Sequence, residues 1–302
     1  MKNRKAFGNI ILLLTSIIWG LAFVFQRTGM DSIEPITFNA ARMSAGALFV
    51  GIAVLIRDGK NKNKPQDPVK QKEINKNTWL GGVGCGLFLT AASIVQQMGL
   101  VYTTAGKAGF ITAMYMLFVP IFNLIIFKKN NGLKVWIAVI TGIVGMYLLC
   151  VRDDFVLTMG DLLILACAIL FAGHILCCDN FAPKSDPIKM SAIQFIITGV
   201  LSWIFAFITE SPSIEKIVSA TIPILYCGVI SGALGYTLQI VGQRYTDPST
   251  ASLLMSLESV FAVIAGVLLL NETMVFQEIL GCIIMFAAII LLQLPSRPKK
   301  QK

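Results

Sequence analysis

Ten stretches of nearly unbroken apolar sequence alternate with short polar segments along the chain: residues 8–26, 35–56, 79–101, 108–127, 133–151, 161–179, 188–208, 217–242, 249–270 and 274–294. Each is about as long as a bilayer crossing, which takes ~20 residues of α-helix. The pattern predicts an all-α integral membrane protein with ten transmembrane helices. No remaining segment is large enough for a soluble domain. Lys2, Arg4 and Lys5 before the first apolar run resemble the start of a signal peptide. No small-residue cleavage site follows, so the segment is expected to stay as the first crossing.

The pattern occurs twice. Gln96-x-x-Gly99-x-x-Tyr102-Thr103 returns as Gln239-x-x-Gly242-x-x-Tyr245-Thr246, an offset of 143 that also places Ala108 on Ala251 and Phe118 on Phe261. Upstream the offset is 152, with Gly8 on Gly160, Pro35-Ile36 on Pro187-Ile188 and Ala40 on Ala192. The slip between the offsets falls at a charged loop over 57–78, present only in the first copy. Two units are therefore expected, residues 1–151 and 152–302. Five crossings each is an odd number, so the second unit enters the membrane from the opposite side, the inverted-topology repeat common in secondary transporters. Such a repeat lets the halves exchange conformations, with a solute site near midplane at their interface.

Composition and charge sharpen this picture. The chain is 56% hydrophobic and 14% charged, against roughly 25% charged in soluble domains. With both termini in the cytoplasm, twenty of the 25 Lys and Arg fall on inner segments, and only Arg27, Lys107, Arg152 and Lys216 fall outside. That bias orients a multi-pass protein of the cell inner membrane, and it makes the net charge of +9 a topology signal rather than a nucleic-acid footprint. The seven cysteines sit in apolar segments without metal-ligand spacing and read as small packing residues. With one histidine, no metal motif and no nucleotide-binding domain, neither cofactor nor ATP hydrolysis is expected. Gly82-x-x-x-Gly86 and Gly228-x-x-x-Gly232 occupy matching places in the two units and suit close helix packing in lipid.

Two charged residues lie deep inside apolar segments: Arg42, in the outer half of the second, and Glu258, near the middle of the ninth. Burying either costs at least ~3 kcal/mol, so each needs a pair, water or a solute. His174 shares Glu258's level, and Tyr115 is its repeat mate. Trp19 lies mid-depth, away from the interfacial belt favoured by aromatic residues. Gln97 and Gln96 lie in the third segment, Tyr236 and Gln239 in the eighth. Each has a bland alternative: Arg42 can snorkel, and His174 and Trp19 can simply pack. The site reading is that Glu258 binds a cationic group or carries a proton. Arg42 binds a carboxylate or neutralises Glu258. Tyr115 and Trp19 give apolar and stacking contacts, Gln97 and Gln239 hydrogen bonds, and His174 and Tyr236 complete the lining.

The run Trp19-Gly20-x-x-Phe23, then Pro35 and Arg42, Tyr102-Thr103-x-x-Gly106-Lys107-Ala108, Pro248-Ser249-Thr250-Ala251, Leu257-Glu258-Ser259-Val260-Phe261, Asn271-Glu272 and Gly281 together resemble the EamA-type members of the drug/metabolite transporter superfamily. Many relatives carry Gly where this chain has Asn271. The resemblance spans nearly the whole chain. It implies transport of a small molecule, with export as its direction, and leaves the solute unnamed, since the family carries amino acids, metabolites and toxic compounds. An Arg and a Glu near one cavity suit a zwitterion, so an amino acid or related metabolite is the first expectation, with coupled protons. The alternatives are export of drug-like cations, a passive pore or structural membrane protein, or a membrane enzyme, for which no catalytic cluster is found.

Overall fold

A computed structural model describes residues 2–61, 67–103, 105–150, 158–270 and 275–294. Arg152, Asn271, Glu272 and the basic residues Arg297, Lys299, Lys300 and Lys302 lie outside the described residues. Every apolar stretch is helical. The first unit comprises α1 (Lys2–Gly29), α2 (Pro35–Asn61), α3 (Pro68–Leu100), the pair α4 (Ala105–Thr112) and α5 (Tyr115–Ile125), and α6 (Leu133–Cys150). The second comprises α7 (Met159–Phe181), α8 (Pro187–Thr209), a short α9 (Ile214–Ser219) and then one composite crossing. That crossing runs through α10 (Thr221–Leu225), a π-helical stretch (Tyr226–Tyr236) and α11 (Thr237–Gln243). The pair α12 (Pro248–Met255) and α13 (Glu258–Leu270), and finally α14 (Phe276–Gln293), complete it. Among the described residues, eight helical spans are long and apolar enough to cross a bilayer, and Leu133–Leu149 and Phe276–Leu292 are shorter apolar helices. Their outer faces carry exposed Leu48, Leu55, Phe207, Ile208, Leu268 and Ile283, the side chains a lipid solvent accepts.

The loop expected over 57–78 is shorter than its charge suggests. α2 continues to Asn61, and α3 starts at Pro68 because the Asp67 side chain accepts from the Val69 and Lys70 amides and proline suits the first helical position. α2 packs along α8, α3 along α7 and α8, α6 along α14, and α1 along α13, the π-helical stretch and α11. Gly82 and Gly86 meet Ile193 and Ile197 of α8, while Gly228 meets the Arg42 carbonyl and Ala45 of α2. Both small-residue motifs are therefore close-packing seams.

The duplicated sequence motif makes duplicated contacts. Gly99 lies against the Gly160 carbonyl, and Gly242 against the Gly8 carbonyl. Thr103 Oγ1 donates to Asp161 Oδ1 at 2.9 Å, and Thr246 Oγ1 to Asn9 Oδ1 at 2.9 Å. The α2–α8 pair is fastened at both ends. Arg57 Nη1 and Nη2 donate to the two oxygens of Asp186 at 2.8 and 2.7 Å, and Lys189 pairs with Asp58 at 2.7 Å. At the opposite ends, Glu210 accepts from the Ile36 and Thr37 amides and from Thr37 Oγ1 at 2.9, 2.7 and 2.6 Å.

Candidate functional site

The fourth and ninth crossings, each expected as one helix, are both broken. The breaks fall at Ala113-Met114 and Ser256-Leu257, positions that match under the 143 offset, and the hydrogen bonds around them also match. Ala113 N to Gly109 O and Met114 N to Ile111 O correspond to Ser256 N to Ser252 O and Leu257 N to Leu254 O. Each break starts a new helix with a polar first residue, Tyr115 on α5 and Glu258 on α13. The two meet: Tyr115 OH donates to Glu258 Oε1 at 3.1 Å. Both are buried, at 3% and 4% exposure. The carboxylate also sits in the first turn of its helix, where the peptide dipoles favour negative charge.

Tyr115 and Glu258 line a cavity of about 40 Å³ with Trp19, Arg42, His174, Tyr236 and Gln239. That is room for a few water molecules, at ~10–15 Å³ each, so the lining side chains leave little free space between them. Seven of the eight expected residues come together here. Gln97 does not line the cavity: its Nε2 points at Met30 Sδ, 3.1 Å away. One residue of helix rotation puts Gln96 on the lining instead, with Nε2 donating to Thr112 Oγ1 at 3.3 Å. Its repeat mate Gln239 also faces inward and keeps a buried Oε1 without a partner among the described residues.

Arg42 does not pair with Glu258; no ion pair joins them among the described residues. Its Nε and Nη2 donate to Asn39 Oδ1 at 3.1 and 2.9 Å, and Nη1 donates to Gln26 Oε1 at 3.1 Å. Asn39 is itself held by Nδ2 donation to Ser93 Oγ and Ser202 Oγ at 3.1 and 2.9 Å. Neutral amides thus hold the guanidinium without cancelling its charge. Gln26 and Asn39 were missed in the sequence, although Asn39 stands one turn before Arg42 on the same helix face, a spacing at which side chains meet.

Trp19 reaches the site through the π-helical stretch. Its Nε1 donates to Ser231 O at 3.0 Å, and its ring tilts against Tyr236 with centroids 4.8 Å apart. π-Bulges free backbone carbonyls and gather at functional sites. Tyr236 stands edge-on to His174, at 5.6 Å and 90°. The cavity therefore offers one cation, one carboxylate, a free amide oxygen and an aromatic wall. These groups are complementary to a solute carrying both charges.

Comparison with known proteins matches the EamA-like transporter family to residues 6–151 and again to residues 158–294. The chain is 28% identical over 291 residues to an uncharacterized transporter of Archaeoglobus fulgidus, covering 96% of this chain and 87% of that one. It is 23% identical over 287 residues to the uncharacterized transporter YoaV of Bacillus subtilis, covering 92% and 94%. A WAT1-related chloroplastic protein of Arabidopsis thaliana is 25% identical over 303 residues, covering 95% and 69%. A crystal structure at 17% identity superposes with a TM-score of 0.77 over 97% of this chain and 98% of that one, a likeness of fold.

Proposed function

Because this chain belongs to the EamA-like transporter family of the drug/metabolite transporter superfamily, we propose that it exports a small zwitterionic solute, an amino acid or related metabolite, across the cytoplasmic membrane by alternating access. The observation that carries this reading is the Tyr115–Glu258 contact between two broken helices, in a buried cavity that also holds Arg42. Broken helices at mid-membrane are a recurrent way to present a solute site. Arg42 takes the carboxylate. Glu258 takes the ammonium group or a coupled proton. Gln239 Oε1 accepts a hydrogen bond, and Trp19 and Tyr236 close the apolar wall. His174 lines the inner flank.

Two units, 1–151 and 152–302, in inverted orientation are part of this proposal. The duplicate family match and the duplicate Gly99–Gly160 and Gly242–Gly8 contacts support them. In this proposal the narrow cavity must widen to admit the solute from either side. The test is counterflow in proteoliposomes. Internal unlabelled amino acid should drive uphill uptake of the labelled compound, with external pH altering the rate. Leak without counterflow identifies a pore and sinks the proposal. Chemical change of the solute identifies an enzyme. Exchange restricted to organic cations retains the carrier and removes the zwitterion.

A further inference from the structure

On the cavity's inner flank, His174 leads from the lining to two thiols, Cys85 and Cys178, that the transport proposal does not use. His174 and Cys178 are four residues apart on α7 and share one face. α3 crosses that face at Cys85. Cys85 Sγ is 3.4 Å from Cys178 Sγ, which is 3.9 Å from both Nδ1 and Nε2 of His174. One donor atom from each of the three lies within 4.8 Å of the others, and all three residues are wholly buried. Tetrahedral zinc, with Zn–S ~2.3 Å and Zn–N ~2.0–2.1 Å, sets sulfurs about 3.8 Å apart and sulfur about 3.6 Å from nitrogen. The Cys85–Cys178 and Cys178–His174 separations are within about half an ångström of these, and because Cys178 Sγ is equidistant from the two ring nitrogens, the imidazole must turn to aim its Nδ1 lone pair between the sulfurs.

The surroundings support ligation. Gln194 Oε1 lies 3.0 Å from His174 Nε2. As an acceptor it keeps the proton on Nε2 and leaves the Nδ1 lone pair free, the outer hydrogen bond that ligating histidines use. In this orientation Gln194 Nε2 is buried without a partner among the described residues, so the amide serves the imidazole at the expense of its own donor. Two thiolates and a neutral imidazole around a divalent ion carry no net charge, as an apolar interior requires. A monovalent ion on the same donors would leave the site negative.

We infer that Cys85, His174 and Cys178 form a binding site for one thiophilic divalent ion of the zinc class, joining α3 to α7. Binding displaces the two thiol protons to solvent, and the metal's fourth position stays free for water. The ion reaches the site through the cavity that His174 also lines. This inference does not depend on the transport proposal, because its readout is metal uptake.

The test is titration of full-length, thiol-reduced protein in detergent with Co2+ as a spectroscopic stand-in, followed by Zn2+. One equivalent of Co2+ should give thiolate-to-metal charge-transfer absorption and tetrahedral visible bands, both bleached by Zn2+. Cys85→Ser and Cys178→Ser should each abolish the charge-transfer band or weaken binding at least ~100-fold, and Cys282→Ser should leave it intact. Gln194→Leu, which removes no ligand, should weaken binding about tenfold or more. If a cysteine variant does not fold, wild-type protein decides the matter: Zn2+ should protect Cys85 and Cys178 from maleimide in mild denaturant that exposes both thiols of the metal-free protein. Absence of the band in wild type, unprotected thiols, unchanged binding by a folded Cys85→Ser variant, or uptake of Cu+ without Co2+ or Zn2+ overturns the inference.

Discussion

Glu258 and Arg42 are 216 positions apart in sequence and line the same cavity without touching. Each carries its charge on neutral partners, Tyr115 for Glu258 and the Asn39 and Gln26 amides for Arg42. Two consequences separate. Replacing Glu258 with Gln keeps the shape and an acceptor for Tyr115 OH while removing the negative charge. Transport by Glu258→Gln should fall at least tenfold, with similar amounts of folded protein in the membrane and loss of any pH dependence. A variant that transports fully with wild-type pH dependence removes Glu258 as the ammonium or proton site. A buried ion pair would behave differently, since breaking one costs ~3–5 kcal/mol and removing both partners restores much of that. For residues held separately, the thermal-stability losses of Arg42→Gln and Glu258→Gln should add. A double-mutant cycle without solute should give a coupling below ~0.5 kcal/mol. Coupling above ~1 kcal/mol would mean that the pair forms in solution.

At the scale of elements, the site depends on three departures from plain helix: two breaks and one π-helical stretch. The π-helical stretch is fixed by Trp19, whose Nε1 would lie 2.6 Å from a Cβ added at Gly235. That indole cannot retreat without losing its bond to Ser231 O. Gly235→Ala should therefore cost about 1–3 kcal/mol by overpacking and change tryptophan fluorescence. Gly59→Ala, where added atoms meet nothing within 4 Å, should change neither. Thermal unfolding followed by fluorescence compares the two. Gly228 and Gly232 were legible in the sequence as small packing residues, but Gly235 and the π-helical winding were not, because the close approach of Gly235 is to an indole on another helix. Nor were the breaks legible. Ala113-Met114 and Ser256-Leu257 contain neither proline nor glycine, and local propensity gives no reason to stop there. Polar and aromatic residues at depth, with the duplication, singled out seven residues that line one cavity and misplaced Gln97 by one position. The Cys85–His174–Cys178 cluster stayed hidden because its third member comes from a distant helix, although His174-x-x-x-Cys178 has the spacing of one helix face.

For the whole molecule, the fastenings of α2 to α8 give alternating access a physical handle. The bias of Lys and Arg puts the Arg57–Asp186 and Lys189–Asp58 contacts at the cytoplasmic end, and the Glu210–Thr37 contact at the external end. Cysteines placed at 184 and 216 test that assignment: an impermeant maleimide on intact cells should label position 216 and spare 184. The reverse pattern would invert the molecule. The two fastenings occupy matching ends of the α2–α8 contact under the 152 offset, Asp58 corresponding to Glu210 and Lys189 to Thr37, and in the proposed alternating access each would hold its own end of the pair together. Releasing one end should then favour opening at that end. A half-exposed contact of this kind contributes about 1 kcal/mol, enough to shift a two-state population about fivefold. Arg57→Gln should speed alkylation of a cysteine at position 239 by a membrane-impermeant reagent applied to the cytoplasmic face in inside-out vesicles, and Glu210→Gln should slow it while raising access from outside. The background for both is a chain whose seven cysteines are replaced by serine, since Cys227 lines the same cavity. Equal acceleration from both sides by either variant would mean that the fastenings only hold the fold together, and the opening of the cavity would have to be sought at the broken helices instead.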